Sequence, residues 1–531
     1  MIKRALLSVS DKTGLIELGK ALKHFQIEIL STGGTAQLLN DSTIKTISIS
    51  DYTGFPEMME GRLKTLHPKV HGALLGRRDH TSDLQEAQTY GIEWIDLVVV
   101  NLYPFEKVVS ASARPDLGEL IENIDIGGPT MIRAAAKNYE HVLVVVDPKD
   151  YPKVIQRLKD NPQNPFSRDF RYQMAVKAFR ATAIYDSLIA ETLSRYEWKD
   201  ESELIHHQFP LFHSLHGKLS KQLRYGENPH QKSAYYKFAP TFEKSPLSES
   251  LQGKETSYNN ILDSDAAWRL IQELPRNSCA ILKHNNPCGV GLGDNPIESY
   301  KRAFSSDSES AFGGVVVVSG EVDQHLAKLL CEPFFEIICA ESFTVEARDI
   351  FQSKKNLRLM MIPFRETEAE HYRSRIDLKK VTGGYLIQDP DQFSVFHEGI
   401  LGPDAQVVTE RAPTEEERTA LCLGWVIAKN ARSNAVVITN QHQTLGIGCG
   451  QVNRRFASEH AARRASLFES PVKACASDGF FPFADSIEAL QTAQVTAIAQ
   501  PGGSIRDAEV IEACNKAKIA MIFTKARHFS H

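Results

Sequence analysis

From Ala5 to Asp147 the chain repeats one pattern. Short aliphatic runs (ALLSVS, IEILST, IKTISIS, DLVVVNLY, HVLVVVD) alternate with amphipathic stretches such as GLIELGKALKHF and TMIRAAAKN. Strands separated by crossover helices return parallel to one another, so the alternation predicts a parallel sheet wrapped by helices. The apolar character of 97–100 and 142–146 is continuous rather than alternating, as strands covered on both faces require. A doubly wound layer follows. Beyond residue 220, AILKH, GGVVVVSG, FEIICA, AVVITN, TLGIGCG and IAMIFT alternate with SDAAWRLIQEL and EEERTALCLGWVIAKN, so the second half is α/β as well. Two glycine-bearing blocks, 283–320 and 434–503, hint at an internal duplication.

A chain of 531 residues exceeds the roughly 250–300 at which one core stops growing, which predicts at least two domains. Helical spacing through Met174, Phe179, Ile184 and Leu188 gives way to the polar stretch EWKDESELIHHQ. The expected boundary is therefore near residue 200, with domains 1–199 and 200–531. His206, His207, His213 and His216 have no carboxylate or cysteine at ligand spacing and read as linker polarity rather than a metal site. A composition of 42% hydrophobic and 24% charged residues excludes long disorder. The net charge of −5 supplies no basic field for nucleic acid and favours a small anionic ligand met by local groups. The eight cysteines form no C-x-x-C pair, which predicts reduced thiols in the cytoplasm and neither a disulfide framework nor a zinc ribbon. The apolar run in MIKRALLSVS is too short for a leader, and no apolar stretch is long enough to span a bilayer.

Candidate chemistry in the first half sits where strands end. STGGTA places Thr32, Gly33, Gly34 and Thr35 between a strand and a helix, where free N–H groups and the helix dipole attract phosphate. SVSDKTG adds Ser8, Ser10 and Lys12 at the end of the first strand, on the rim where open α/β sheets bind ligands. GRLKTLHPKVHG supplies Arg62, Lys64, Thr65 and Lys69, and Tyr103 follows a buried strand in NLYPF. In DIGGPTMIRAAAKN, Asp125 precedes a helix that carries Arg133 and Lys137 on one face. A phenol, a carboxylate and lysines beside a phosphate cradle suit proton transfers in a ring closure, though a structural ion-pair network uses the same residue types.

In the second half, AILKHNNPCGVG ends a buried strand with Lys283 and His284. Neighbouring strand residues point to opposite faces, so both reach one pocket only if the chain turns there, as the following residues permit. Arg224 and Tyr225 (LRYGENPHQ), Phe312 and Gly313 (SAFGG), Asn434 (RSNAVV), and Arg527 with Phe529 (RHFSH) add groups suited to a nucleotide and a pterin.

The ordered strings SVSDKTG, STGGTA, TGFPEMMEGRLKTLHPKVHG, NLYPF and DIGGPTMIRAAAKN resemble the cyclohydrolase half of the bifunctional aminoimidazole carboxamide ribonucleotide (AICAR) transformylase and inosinate cyclohydrolase family. LRYGENPHQ, SYNNILDSDAAW, ILKHNNPCGVG, AFGG, RSNAVV, GIGCGQVNR, SDGFFPFADS, QPGGSIRD and RHFSH resemble its transformylase half. The resemblance implies a methylglyoxal-synthase-like doubly wound sheet followed by a duplicated cytidine-deaminase-like α/β domain. It implies a purine-synthesis enzyme that formylates AICAR from 10-formyltetrahydrofolate and then closes the ring of inosinate. In the first half it assigns Ser8, Lys12, Thr32, Gly33, Gly34, Thr35, Arg62, Lys64 and Thr65 to the nucleotide. Lys64, Tyr103, Asp125 and Lys137 become its catalytic cluster. In the second half Lys283, His284 and Asn434 take catalytic roles, and Arg224, Tyr225, Gly313, Glu336, Phe480 and Arg527 contact the nucleotide. Gln451, Arg454, Phe483, Asp485 and Ser504 lie on the folate side. A homodimer with shared transformylase sites is implied, no catalytic zinc is, and a monovalent cation such as potassium is allowed.

Two rivals differ in what they require. A nucleotide-sensing module needs the phosphate cradle but not Tyr103, Asp125 and Lys137. A zinc deaminase needs a second cysteine after Cys288 and an H-x-E motif, and both are lacking. The chain also departs from the family pattern: SSDSES replaces an Asp-Pro before SAFGG, and Lys525-Ala526 stand where glycine and methionine are common.

Overall fold

The computed structural model describes residues 2–112, 114–200, 203–238, 247, 250–364, 377–391 and 404–531. Two compact units divide between His216 and Gly217. This is later than the expected boundary near 200, because the chain beyond the helix Arg168–Leu193 folds back on it. Strands β6 (Tyr196–Trp198) and β7 (Leu204–His206) form an antiparallel hairpin. The His207 N–H then donates to the Arg195 carbonyl at 2.7 Å, and Arg114 donates to the Leu204 carbonyl at 3.0 Å.

The first unit contains β1 (Arg4–Val9), β2 (Glu28–Ser31), β3 (Ile47–Ser48), β4 (Leu97–Asn101) and β5 (Leu143–Val145), in the order β3-β2-β1-β4-β5. All pairings are parallel, with Ala5 opposite both Ile29 and Leu97. Period-two alternation sends Leu7 and Val9 into one buried layer with Leu18, Leu39 and Val154. Leu6 joins the other with Val98, Ile132 and Ala178. Both faces are covered, which explains the unbroken apolar runs. Connections run to opposite sides of β1, so the β1/β4 crevice is a topological switch point.

The second unit opens with the hairpin β8 (Gly217–Leu223) and β9 (Ser233–Phe238). Its first sheet holds β10 (Ser278–Lys283), β11 (Asn286–Leu292), β12 (Val315–Val322), β13 (Ile337–Phe343) and β14 (Arg358–Met361), ordered β11-β10-β12-β13-β14. A hairpin of β15 (Asp377–Val381) and β16 (Gly384–Gln388) follows. The second sheet holds β17 (Gln406–Val407), β18 (Val436–Thr439), β19 (Thr444–Gly448), β20 (Ala474–Ser477), β21 (Ala497–Gln500) and β22 (Ala520–Phe523), ordered β17-β22-β21-β20-β18-β19. Apart from β17, the two sheets have one topology. In each, the first strand pairs antiparallel with its hairpin partner and with the third strand, and parallel strands complete the sheet. The register even slips at matching places, Ile281/Leu282 and Ile438/Thr439. The helices Tyr258–Gln272 and Glu415–Lys429 join both sheets in one core around Leu270, Leu282, Val317, Trp425 and Val437.

Strand β11 is absent from the sequence-based pattern because proline and glycines mark turns. Its glycines have another cause. A Cβ on Gly289 or Gly291 would run into the carbonyl oxygens of Ala303 and Ser299, and one on Gly446 or Gly448 into those of Ala461 and Ala457. Each hairpin lies directly on the following helix, Pro296–Ser306 or Arg454–Ala465, and the same small-residue pair permits it in both copies. Among the described residues, no helix is long and apolar enough to cross a membrane.

Gly448→Ala should therefore destabilise the second unit by about 1–3 kcal/mol in denaturant unfolding. Gly384→Ala, with open space at its Cβ position, should be near neutral.

Candidate active sites

In the first unit the expected residues collect at the carboxyl ends of β1, β2 and β4. Ser8 Oγ lies 2.9 Å from Thr32 Oγ1, and Thr35 Oγ1 donates to the Val9 carbonyl at 3.0 Å. These bonds clamp β1 to the helix Gly33–Asp41, whose start no side chain caps. Gly33 is left-handed (φ 43°), and the turn is crowded by cations. A Cβ on Gly33 would stand 3.5 Å from Lys64 Nζ, and one on Gly34 3.4 Å from Lys12 Nζ. Two ammonium groups therefore flank an uncapped helix start, an arrangement that attracts phosphate. Lys64 also pairs with Glu57 at 2.8 Å, and Arg62 with Glu122 at the surface.

Thr65 is buried with its hydroxyl against Gly127, which brings this loop to the start of the helix Gly127–Lys137. There Asp125 Oδ1 accepts the Gly128 N–H at 2.8 Å, and the Asp125 N–H donates to the Tyr185 hydroxyl at 2.8 Å. Burial raises the Asp125 carboxyl above its ordinary range, against the opposing pull of the Gly128 and Tyr103 N–H groups. Tyr103 is 53% exposed beside it. Asn101, which the motif reading missed, closes the switch-point crevice: its Oδ1 accepts the Ser10 and Asp11 N–H groups at 2.6 and 2.8 Å. Its position as the last residue of a buried strand was the available signal.

Lys137 lies at the far end of the helix from Gly127. It ends the helix that Asp125 precedes, exposed to solvent, and ten residues separate it from Gly127, about 15 Å of helix. In a strand–helix–strand unit the two helix ends lie at opposite rims, and at the carboxyl end a lysine complements the helix dipole.

In the second unit β10 ends at Lys283, and the chain reverses through His284 (φ 53°) and Asn285 (φ 62°) into β11, with Lys283 paired to Asn286. Two left-handed residues make this a tight hairpin turn of the primed kind. The reversal brings both residues to the strand end: Lys283 Nζ donates to the Phe312 carbonyl at 2.9 Å, and His284 is exposed. Asn286 Oδ1 accepts the Arg432 N–H at 3.0 Å, joining the turn to the segment that carries Asn434. In the other copy the matching turn bears no lysine. Asn440 Oδ1 accepts the His442 and Gln443 N–H groups at 2.9 and 2.8 Å, and the His442 carbonyl accepts from Leu292. One turn presents functional groups, and its counterpart serves the scaffold.

Around the Lys283 turn, Glu336 Oε2 accepts from Asn260 Nδ2 at 2.8 Å and lies 3.8 Å from Arg358 Nη1. Arg224 donates to the Tyr225 hydroxyl at 2.8 Å, and its charge acts on Arg358. Gly313 takes φ 75° behind Phe312, and its N–H donates to the Phe334 carbonyl at 2.7 Å. The altered SSDSES turn closes without proline: Ser310 donates through its N–H and hydroxyl to Asp307, which pairs with Arg464 at 2.9 Å. A cavity of about 240 Å³ beside it is lined by Lys283, His284, Asp307, His460 and Arg464, among others.

Arg454, expected on the folate side, sits below the surface of the unit. It is buried and fully engaged, donating to Asp478 at 2.5 Å, Ser477 at 2.7 Å and Asn434 Oδ1 at 2.7 Å, while Asn434 Nδ2 donates to the Gln451 carbonyl at 2.7 Å. It thereby orients Asn434. Asp478 is wholly buried, accepts from Ser433, and through its carbonyl holds the His528 N–H between Arg527 and Phe529. The Arg527 guanidinium lies 4.4 Å from the Phe529 ring centroid, and Phe480 is exposed nearby in sequence to this hub. Lys525 retains the left-handed backbone (φ 61°) of the glycine common at that position.

Phe483 lies under Arg506, with 5.0 Å to its centroid, and Ser504 Oγ accepts the Arg506 N–H at 3.2 Å. Asp485 Oδ1 is buried with no hydrogen-bond partner, in an open groove of about 500 Å³ shared with Arg455, Glu459 and Arg463. Arg455 was not singled out from sequence. Among the described residues no three His, Cys, Asp or Glu side chains gather to hold a metal ion.

A raised Asp125 carboxyl has a consequence for stability. The folded state holds this proton more tightly than the unfolded chain, so the group costs stability once the pH rises through its folded value, and the cost persists above it. Asp125→Asn should melt higher than wild type at pH 7, with the gap narrowing as the pH falls to acid; a gap independent of pH in thermal melts would contradict this.

The family model described as the AICARFT/IMPCHase bienzyme matches residues 135–464, and that of an MGS-like domain matches residues 14–130. The bifunctional purine biosynthesis protein PurH of Caldicellulosiruptor saccharolyticus is 45% identical over 534 residues, that of Persephonella marina 45% over 536, and that of Bacillus cytotoxicus 44% over 535. Each alignment covers 100% of both chains.

Proposed function

The chain belongs to the AICARFT/IMPCHase bienzyme family, and from that membership we propose how its two units divide the family's work. The enzyme is bifunctional and carries out the final two steps of inosinate synthesis, formyl transfer to AICAR and ring closure. We assign ring closure to the first unit and transfer from 10-formyltetrahydrofolate to the second. The observation that carries this division is that each unit holds its own cluster: in one, Lys12 and Lys64 about the Gly33–Gly34 turn, with Asp125 at the helix start that Thr65 of the same loop as Lys64 touches; in the other, the Lys283–His284 turn joined to the Asn434 segment.

In formyl transfer the substrate's 5-amino group is a weak nucleophile, because its lone pair delocalises into the imidazole carboxamide, so proton removal accompanies attack on the formyl carbon. Histidine suits that task near neutral pH, and His284 takes the proton. Lys283 protonates the departing folate nitrogen, and Asn434, fixed by Arg454 and Gln451, orients the formyl group. Arg224, Tyr225, Gly313, Glu336, Phe480 and Arg527 bind the nucleotide. Asp485, with a buried oxygen still able to accept, suits the amino-pyrimidine edge of the pterin, and Gln451, Phe483 and Ser504 lie along the rest of the folate.

In ring closure the phosphate sits at the Gly33–Gly34 turn against Ser8, Lys12, Thr32, Thr35, Arg62 and Thr65. Asp125 accepts the proton of the carboxamide nitrogen as it attacks the formyl carbon. Lys64 and the N–H groups at the start of the Gly127–Lys137 helix stabilise the alkoxide, which takes back the proton held by Asp125 to become a hydroxyl; that hydroxyl leaves as water with a proton from Tyr103, whose phenolate recovers one from the 5-nitrogen as the ring C=N bond forms. We read formyl transfer as independent of zinc, which metal analysis of purified protein tests, with stoichiometric zinc overturning it. We further place the enzyme in the cytoplasm as a homodimer sharing its transformylase sites, which sedimentation tests.

His284→Ala should lower formyl transfer at least 100-fold and leave closure of supplied formyl-AICAR unchanged. Asp125→Ala should do the reverse. Loss of both activities in either variant, with folding intact by circular dichroism, would overturn the division.

A further inference from the structure

The turn that presents Lys283 and His284 has a structural debt. In a two-residue hairpin turn the N–H of the second turn residue points away from the ladder, and here that residue is Asn285. Its N–H donates to Asp263 Oδ1 at 2.7 Å. Asp263 lies on the helix Tyr258–Gln272, one turn beyond Asn260, and residues three apart share a helix face. One face of this helix thus holds the wall residue Glu336 through Asn260 and the Lys283–His284 turn through Asp263. Three other bonds constrain the turn: Lys283 to Asn286 across the hairpin, Asn286 Nδ2 to the His284 carbonyl at 3.0 Å, and the Arg432 N–H to Asn286 Oδ1. Of the side chains making these bonds, only Asp263 carries charge.

We infer that Asp263 is a positioning residue for formyl transfer, which fixes the left-handed turn through the Asn285 N–H and places a negative charge beside His284. Asp263 bonds the residue next to His284; burial raises its carboxyl, while the Asn285 N–H and the His284 charge pull it down and the Glu336 charge pushes it up. When His284 takes the proton of the attacking amine it becomes a cation, and Asp263 is the half-buried counter-charge already in place. The role differs from that of a general buried acid in the core, because the carboxylate acts on the residue that becomes a cation in the reaction. The inference rests on the reading of His284 as the base.

The test compares Asp263→Asn, which keeps an acceptor oxygen for the Asn285 N–H and removes the charge, with Asp263→Ala, which removes both. Formyl transfer and ring closure are measured on each full-length variant, with His284→Ala alongside. Asp263→Asn should lower kcat for formyl transfer about tenfold, with KM for AICAR within twofold of wild type. Asp263→Ala should lower kcat further and raise KM as the turn relaxes. Ring closure should be unchanged in both. A kcat within twofold of wild type in Asp263→Asn overturns the charge role, and the same result in Asp263→Ala overturns the inference altogether. If His284→Ala itself retains formyl transfer, the reading of His284 as base fails instead, so the two failures are distinguishable.

Discussion

Backbone approach governs the second unit. In each copy a hairpin strand lies against the carbonyls of the next helix so closely that a methyl group at Gly289, Gly291, Gly446 or Gly448 has no room. That contact seats the hairpin, and the hairpin determines where its turn projects. In the first copy the turn delivers Lys283 and His284 to the end of a buried strand; in the second it closes on itself through Asn440. One packing rule used twice yields one turn that bears a lysine and a histidine, which we propose is the working one, and one that is held by its own side-chain bonds.

The first unit solves a related problem with a different device. Its strands are parallel, so their carboxyl ends and the starts of the following helices share a rim, and groups distant in sequence meet there without special strain. Ser8, Thr32, Lys64 and Asp125 come from four separate segments and converge because the sheet aligns them. Lys137 lies on the same helix, at the end away from Asp125. Lys64 and Arg62 at this rim pair with Glu57 and Glu122 in contacts that solvent screens, so an anionic ligand can displace them.

Much of this was legible in the chain itself. The five strands of the first unit follow its aliphatic runs because both faces of the sheet are covered, and the long helix Arg168–Leu193 follows the spacing of Met174, Ile184 and Leu188. Strand β11 was not legible, since proline and glycine ordinarily end strands and only the three-dimensional approach of Ala303 and Ser299 explains them here. The unit boundary was displaced because polar composition marks solvent, not the end of packing, and the polar strands β6 and β7 pair within the first unit. Motifs located the site segments but not the state of each side chain. Nothing in the motif around Arg454 announces its bond to the buried Asp478. Asn101, Asn260 and Asp263 act by holding other groups, a role that has no signature in spacing.

The account as a whole stands on a formyl group passing from a folate to AICAR in one unit and then being built into a ring in the other. The most direct measurement follows tetrahydrofolate and inosinate together after wild-type protein is mixed with AICAR and 10-formyltetrahydrofolate. The account predicts that both products accumulate in equal amounts once a steady state is reached. Release of tetrahydrofolate with no inosinate, or no turnover of either, would contradict it.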